Sequence, residues 1–191
     1  MKVYALFLSI FALSCMASAQ DEGDLTKSSH TIQAFFGQGL TVLGSEDARF
    51  GGGFSYGYGR FEPRLSLKHV RSQLQYDLYI DHTQTPGANG DGPNSTFAGG
   101  VLAYSRWRWP LDKKGNGVYA DLGWGFQLAD KPTVDLDSVV NSTPVAGLGG
   151  ILKMGGQEFL VGLRFLHISN AGLKGHNFGQ NELFFMIGVR Y

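Results

Sequence analysis

The chain has 191 residues with 16 basic and 16 acidic side chains, so no bulk charge directs it toward nucleic acid. A single cysteine excludes a disulfide framework, and no stretch beyond the first 20 residues is apolar for long enough to cross a membrane as a helix. With 28 glycines and 13% aromatic residues, many short strands are favoured over helices.

Met1-Lys2, an apolar run to Leu13 and Ala17-Ser18-Ala19 read as a secretory signal peptide over residues 1–19, which leaves one domain from 20 to 191. Cys15 lies inside that signal, so the mature chain is expected to carry no thiol. After a polar leader to about Lys27, eight strands are expected. The first covers Ser29 to Gly37, and the second Phe50 to Phe61, with Phe54, Tyr56 and Tyr58 on one face. Glu62-Pro63 marks a tight turn. The third strand runs from about Arg64 to Asp81. Its apolar parity changes between Leu65/Leu67 and Leu74/Tyr76/Leu78/Ile80, and a bulge near Arg71 to Gln73 would reconcile the halves.

His82 to Ser95, rich in Gly, Pro, Asn and Thr, is expected to be a loop. The fourth strand places Phe97, Gly99, Val101, Ala103, Ser105, Trp107 and Trp109 on one face and ends at Pro110. A turn over 112–117 leads to the fifth, where Val118, Ala120, Leu122, Trp124 and Phe126 alternate with Tyr119, Asp121, Gly123 and Gly125. A polar connection from Asp130 to Thr143 precedes the sixth strand, about Pro144 to Met154. The Gly155-Gly156 turn feeds the seventh, from Gln157, with Phe159, Val161, Leu163 and Phe165 in register. A loop from Asn170 to Gln180 leads to the last strand, Asn181 to Tyr191.

The connections alternate between long and short, and the face opposite the apolar one carries glycine, serine, aspartate or arginine. Both features define the expected fold class: an all-β, eight-stranded antiparallel transmembrane barrel of the bacterial outer membrane, with a packed polar interior. Trp107, Trp109 and Tyr191 fall at strand ends on the periplasmic side, where an aromatic girdle belongs. A soluble exported barrel of lipocalin type is the alternative that alternation alone leaves open.

His167 and Ser169 continue the apolar parity of the seventh strand, so a base and a hydroxyl share its lipid-facing side near the extracellular rim. Two residues apart on a strand, their Cα atoms are separated by about 6.6 Å, within reach of a bent imidazole rotamer. Arg164 and Glu158, of opposite parity, belong to the interior.

His167-Ile168-Ser169-Asn170-Ala171-Gly172-Leu173, followed by Asn177 and Gly179, resembles the PagL family of outer-membrane lipid A 3-O-deacylases. The resemblance implies that Ser169 is the nucleophile and His167 its general base. It further implies an oxyanion hole from the Asn170 side-chain amide and the Gly172 backbone N–H, and requires no metal or organic cofactor. Lipid A in the outer leaflet would be the substrate and the outer-membrane lipid the surroundings. Lys174, in the loop beside the motif, would meet a lipid A phosphate or stand in solvent.

The family pattern places a glutamate two residues beyond the glycine that matches Gly179, and here that position is Asn181, with Glu182 one residue later. Parity puts Asn181 outward with Leu183, Phe185 and Ile187, and Glu182 inward. Asn181 is thus favoured as the residue orienting His167, with Glu182 as the alternative if a bulge turned it outward. Two other functions stay open at this point. One is a non-enzymatic structural or adhesin-type barrel; the other is another lipid A enzyme, such as a PagP-like acyltransferase with an interior site.

Overall fold

The computed structural model describes residues 28–67, 70–86 and 93–191. The expected signal peptide, with Cys15 in it, lies outside them. Nine strands form one closed antiparallel sheet among the described residues: β1 (Ser29–Gly39), β2 (Phe50–Phe61), β3 (Arg71–Thr85), β4 (Asn94–Pro110), β5 (Gly117–Ala129), β6 (Val140–Ser142), β7 (Val145–Met154), β8 (Gln157–Ile168) and β9 (Gln180–Arg190). Closure comes from β1 pairing with β9, where Ile32 lies opposite Val189. The short β6 and the longer β7 both pair with β5, and together they make the sixth of eight walls. Pro144 interrupts that wall because it has no N–H to give the ladder, although its carbonyl still accepts from His167 N at 3.0 Å.

The barrel is apolar on the outside. Leu78, Leu122, Phe126 and Leu148 stand 60–62% exposed at mid-strand. In water so large an apolar band would drive association; in a bilayer the acyl chains cover it, and closure leaves no backbone edge unpaired in the hydrocarbon. Inside, Arg106 binds Asp121 through two nitrogens, Nε to Oδ1 at 2.8 Å and Nη2 to Oδ2 at 2.7 Å. Arg164 reaches Asp77 at 3.2 Å, and the Tyr104 hydroxyl donates to the same Asp77 oxygen at 2.9 Å. Toward one end this network gives way to an apolar plug that includes Phe35, Tyr79, Leu166, Phe184 and Met186.

Boundaries differ from expectation at both ends of the third strand and at the start of the fourth, and Val140–Ser142, inside the connection expected over 130–143, is a strand. The third strand begins at Arg71, not Arg64, and its pairing with β2 is continuous from Phe61 opposite Gln73 to Phe50 opposite Gln84, without a bulge. Pro63 instead opens a 3₁₀ turn, Pro63–Leu65, with the Glu62 carboxylate accepting from Arg64 N, and a Leu67–Val70 bridge completes the connection. The parity change at Leu65 and Leu67 therefore records a turn, which Trp107 Nε1 braces by donating to Leu65 O at 3.2 Å. The expected loop over 82–95 is shorter than expected. β3 continues to Thr85 and β4 starts at Asn94, since Thr83 and Thr85 keep the inward parity and His82 pairs opposite Phe97.

The tight connections over 111–116 and 155–156 lie at the end that also holds both strand termini, Ser29 and Arg190, which is the periplasmic end in such barrels. The connections over 40–49, 130–139 and 169–179 meet at the other end.

Candidate active site

β8 ends at Ile168, and the chain continues through Ser169 in an isolated bridge to Ser142. Ser142 N donates to Ser169 O at 2.8 Å, Ser169 N returns a bond to Ser142 O at 3.0 Å, and the Ser142 hydroxyl also donates to Ser169 O at 3.0 Å. The backbone under the serine is thus held from the neighbouring wall. His167 and Ser169 are half-buried and share the outward side with Leu163 and Phe165, as their parity requires.

Asn181 sits directly opposite His167 in the β8–β9 ladder, and its Oδ1 lies 2.8 Å from His167 Nδ1. The amide orientation follows from its other end. Asn181 Nδ2 donates to the carbonyl of Val42 at 2.7 Å, and a carbonyl can only accept, so Oδ1 must face the imidazole as an acceptor. The Nδ1 atom then carries the proton and Nε2 keeps its lone pair. Leu40 N closes the arrangement by donating to Asn181 O at 2.7 Å, so the β1–β2 loop roofs Asn181, which is fully buried despite its outward parity.

Gly179 makes room for the imidazole. Its φ is +76°, and a Cβ there would stand 2.7 Å from His167 Cε1, so any other residue would be both strained and in collision. Glu182 turns into the barrel, 2% exposed, and accepts from Gln180 Nε2. No bulge brings it outward; β9 is continuous opposite β8 from Gln180 to Arg190.

Ser169 Oγ is engaged elsewhere than with His167. Asn177 Nδ2 donates to it at 3.1 Å, Ala171 N does so at 3.1 Å, and Oγ is 3.3 Å from Asn177 Oδ1. The residues expected to form an oxyanion hole pair within their own turn: Gly172 N donates to Asn170 Oδ1 at 2.8 Å, and Asn170 Nδ2 to Lys174 O at 2.6 Å. The Lys174 side chain is exposed. Asn177 is the contact that sequence reasoning used as part of the motif without giving it a role. A position quoted for its spacing proves to be the side chain touching the serine oxygen.

A buried carboxylate in the 130–139 loop ties the surrounding loops together. Asp135 Oδ2 accepts from Ser45 Oγ at 2.7 Å and from Asp47 N at 3.1 Å, and Oδ1 accepts from Glu46 N at 3.1 Å. The Asp135 carbonyl accepts from Phe178 N at 3.1 Å, and Leu136 bridges Asn177.

A closed eight-walled barrel, apolar outside and ionic inside, with a histidine–asparagine pair and a serine on its lipid-facing rim, defines the class: an outer-membrane barrel with its polar cluster turned toward lipid. The chain belongs to the PagL family, lipid A 3-O-deacylase, whose profile matches residues 52–190. Its fold is similar to that of the outer membrane enzyme PagL in a crystal structure, with a TM-score of 0.61 and 17% identity over 83% of this chain and 97% of that one. Neisserial surface protein A is also similar, with a TM-score of 0.53 and 14% identity over 85% of this chain and 95% of the other. No curated protein matches the chain significantly by sequence. The protein resides in the outer membrane, the place of its family.

Proposed function

We propose that the chain, exported with residues 1–19 removed, is a serine esterase that hydrolyses the 3-O-linked hydroxyacyl ester of lipid A. The observation that carries this reading is the locked amide of Asn181, which leaves His167 Nε2 as the free base on the lipid side, two residues from Ser169. A substrate whose ester lies at the junction of sugar and acyl chains reaches that depth from the membrane plane. Exposed Leu43, Leu173 and Phe178 on the adjoining loops suit an acyl-bearing substrate.

Arrival of the ester has to exchange the Ser169–Asn177 contact for one to His167 Nε2, in keeping with catalytic hydrogen bonds that tighten only once substrate is bound. Ser169 Oγ then attacks the acyl carbonyl carbon while its proton passes to Nε2. Collapse of the tetrahedral intermediate breaks the bond to the sugar oxygen, which takes the proton from His167. Water, deprotonated by the same imidazole, releases the hydroxy acid and restores the serine. The Asn170 amide and Gly172 N–H would stabilise the oxyanion after the 170–174 turn gives up its internal bonds. Lys174 would approach a phosphate of the substrate.

Mass spectrometry of lipid A incubated with the detergent-folded protein tests the proposal. Loss of one hydroxyacyl chain is expected from the unmodified protein and none from Ser169→Ala. No mass change on lipid A that carries the 3-O chain would overturn the hydrolase reading.

A further inference from the structure

At the end of the barrel away from this site, five strands converge on a cavity of about 210 Å³ lined by Arg71, Arg108, Lys153 and Glu158 among others. The charges there do not balance. Arg71 and Arg108 are direct cross-strand partners, an arrangement that repels when both side chains are cationic. Lys153 pairs opposite Glu158 in the β7–β8 ladder, and its stem lies across Gly115, whose φ of +91° and lack of a Cβ admit it. The lining thus supplies three cations and one carboxylate.

That carboxylate is already shared. A single oxygen, Glu158 Oε2, accepts from Arg108 Nη2 at 2.7 Å and from Arg190 Nη1 at 2.7 Å. Arg71 and Lys153 have no hydrogen-bond or ion-pair partner for their side chains among the described residues, while Arg108 is 5% exposed and cannot draw full hydration. Cations from three strands around one half-open cavity, buried at Arg108 and exposed at Arg71, with a carboxylate too few, form a site that an anion can reach from the periplasm.

We infer that the periplasmic mouth of the barrel binds a phosphate-type oxyanion, held by Arg71, Arg108 and Lys153. A compact tetrahedral anion suits cations that approach from separate strands, and it offers enough oxygens to accept from each. The phosphoryl group comes either from free phosphate or from a phospholipid headgroup of the inner leaflet.

Calorimetric titration of the detergent-folded full chain with inorganic phosphate, in chloride buffer, tests this. Saturable one-site binding is expected. The double variant Arg71→Gln, Lys153→Gln should weaken it at least tenfold, and Lys131→Gln, in an extracellular loop, should leave it unchanged. Both substituted side chains have no partner to lose, so the barrel should still fold, which its heat-modifiable gel mobility checks. No saturable binding, or equal binding by the double variant, would overturn the inference. In vesicles of phosphatidylethanolamine and phosphatidylglycerol, undiminished phosphate binding identifies the free anion. Suppressed binding, with a lipid adduct in native mass spectra that the double variant lacks, identifies the headgroup; suppressed binding without such an adduct would count against the site.

Discussion

The direction of one amide decides what His167 is able to do. Asn181 has two ends of opposite hydrogen-bonding sense, and Val42 O claims the donor, so the imidazole meets the acceptor. Asn181→Ala removes that acceptor and should lower kcat about a thousandfold with little change in KM, because ring orientation matters most in the transition state. Asn181→Asp keeps an acceptor for Nδ1, so its kcat should stay within about tenfold of the unmodified protein's. Glu182→Gln, inside the barrel, should change kcat by less than about twofold; a loss as large as that of Asn181→Ala would return the orienting role to Glu182. These positions also show the reach of sequence reading. Alternation alone separates Asn181 from Glu182, whereas the bond to Val42, 139 residues distant in the chain, has no local signature.

Among elements, the 130–139 loop has a structural task that its polar composition does not advertise. Asp135 anchors the 45–47 turn through its carboxylate and the 169–179 loop through its carbonyl. The first of these loops carries Val42, which aligns Asn181, and the second carries Asn177, which contacts Ser169. Asp135→Ala leaves the Ser45 hydroxyl and the Glu46 and Asp47 amides without their acceptor and should reduce kcat about tenfold or more while the barrel stays folded. Limited proteolysis should show the 40–49 loop cut faster, and kcat/KM on lipid A gives the functional readout. Asp135→Asn, which retains one carbonyl oxygen, should recover part of the loss. The expected boundaries failed at both ends of the third strand for one reason: Leu65/Leu67 and Thr83/Thr85 are read correctly only once it is known which neighbouring residues complete the ladder.

For the whole molecule, the bilayer reverses the usual placement of polar and apolar groups. Arg106 and Asp121 are both buried and bound through two nitrogens, so Asp121→Ala would strand a guanidinium in the interior. A cost of about 3–5 kcal/mol is expected from reversible urea unfolding in lipid vesicles. On the outer surface, Leu78→Arg near the middle of β3 should cost about 2–4 kcal/mol in the same assay, since lipid hydrates no charge there.

Period-two alternation in β4, β5 and β8 was enough to specify the two faces of the strands and the side on which His167 and Ser169 stand, because side-chain direction on a strand is a local property, and the alternation of long and short connections added the membrane barrel. Closure between β1 and β9, the roof over Asn181, the Asn177 contact to Ser169 and the Glu158 carboxylate shared by Arg108 and Arg190 from two other strands were decided by tertiary structure. Each depends on residues far apart in the chain meeting in three dimensions, and hydrogen bonds of that kind leave no periodic trace in the order of the amino acids.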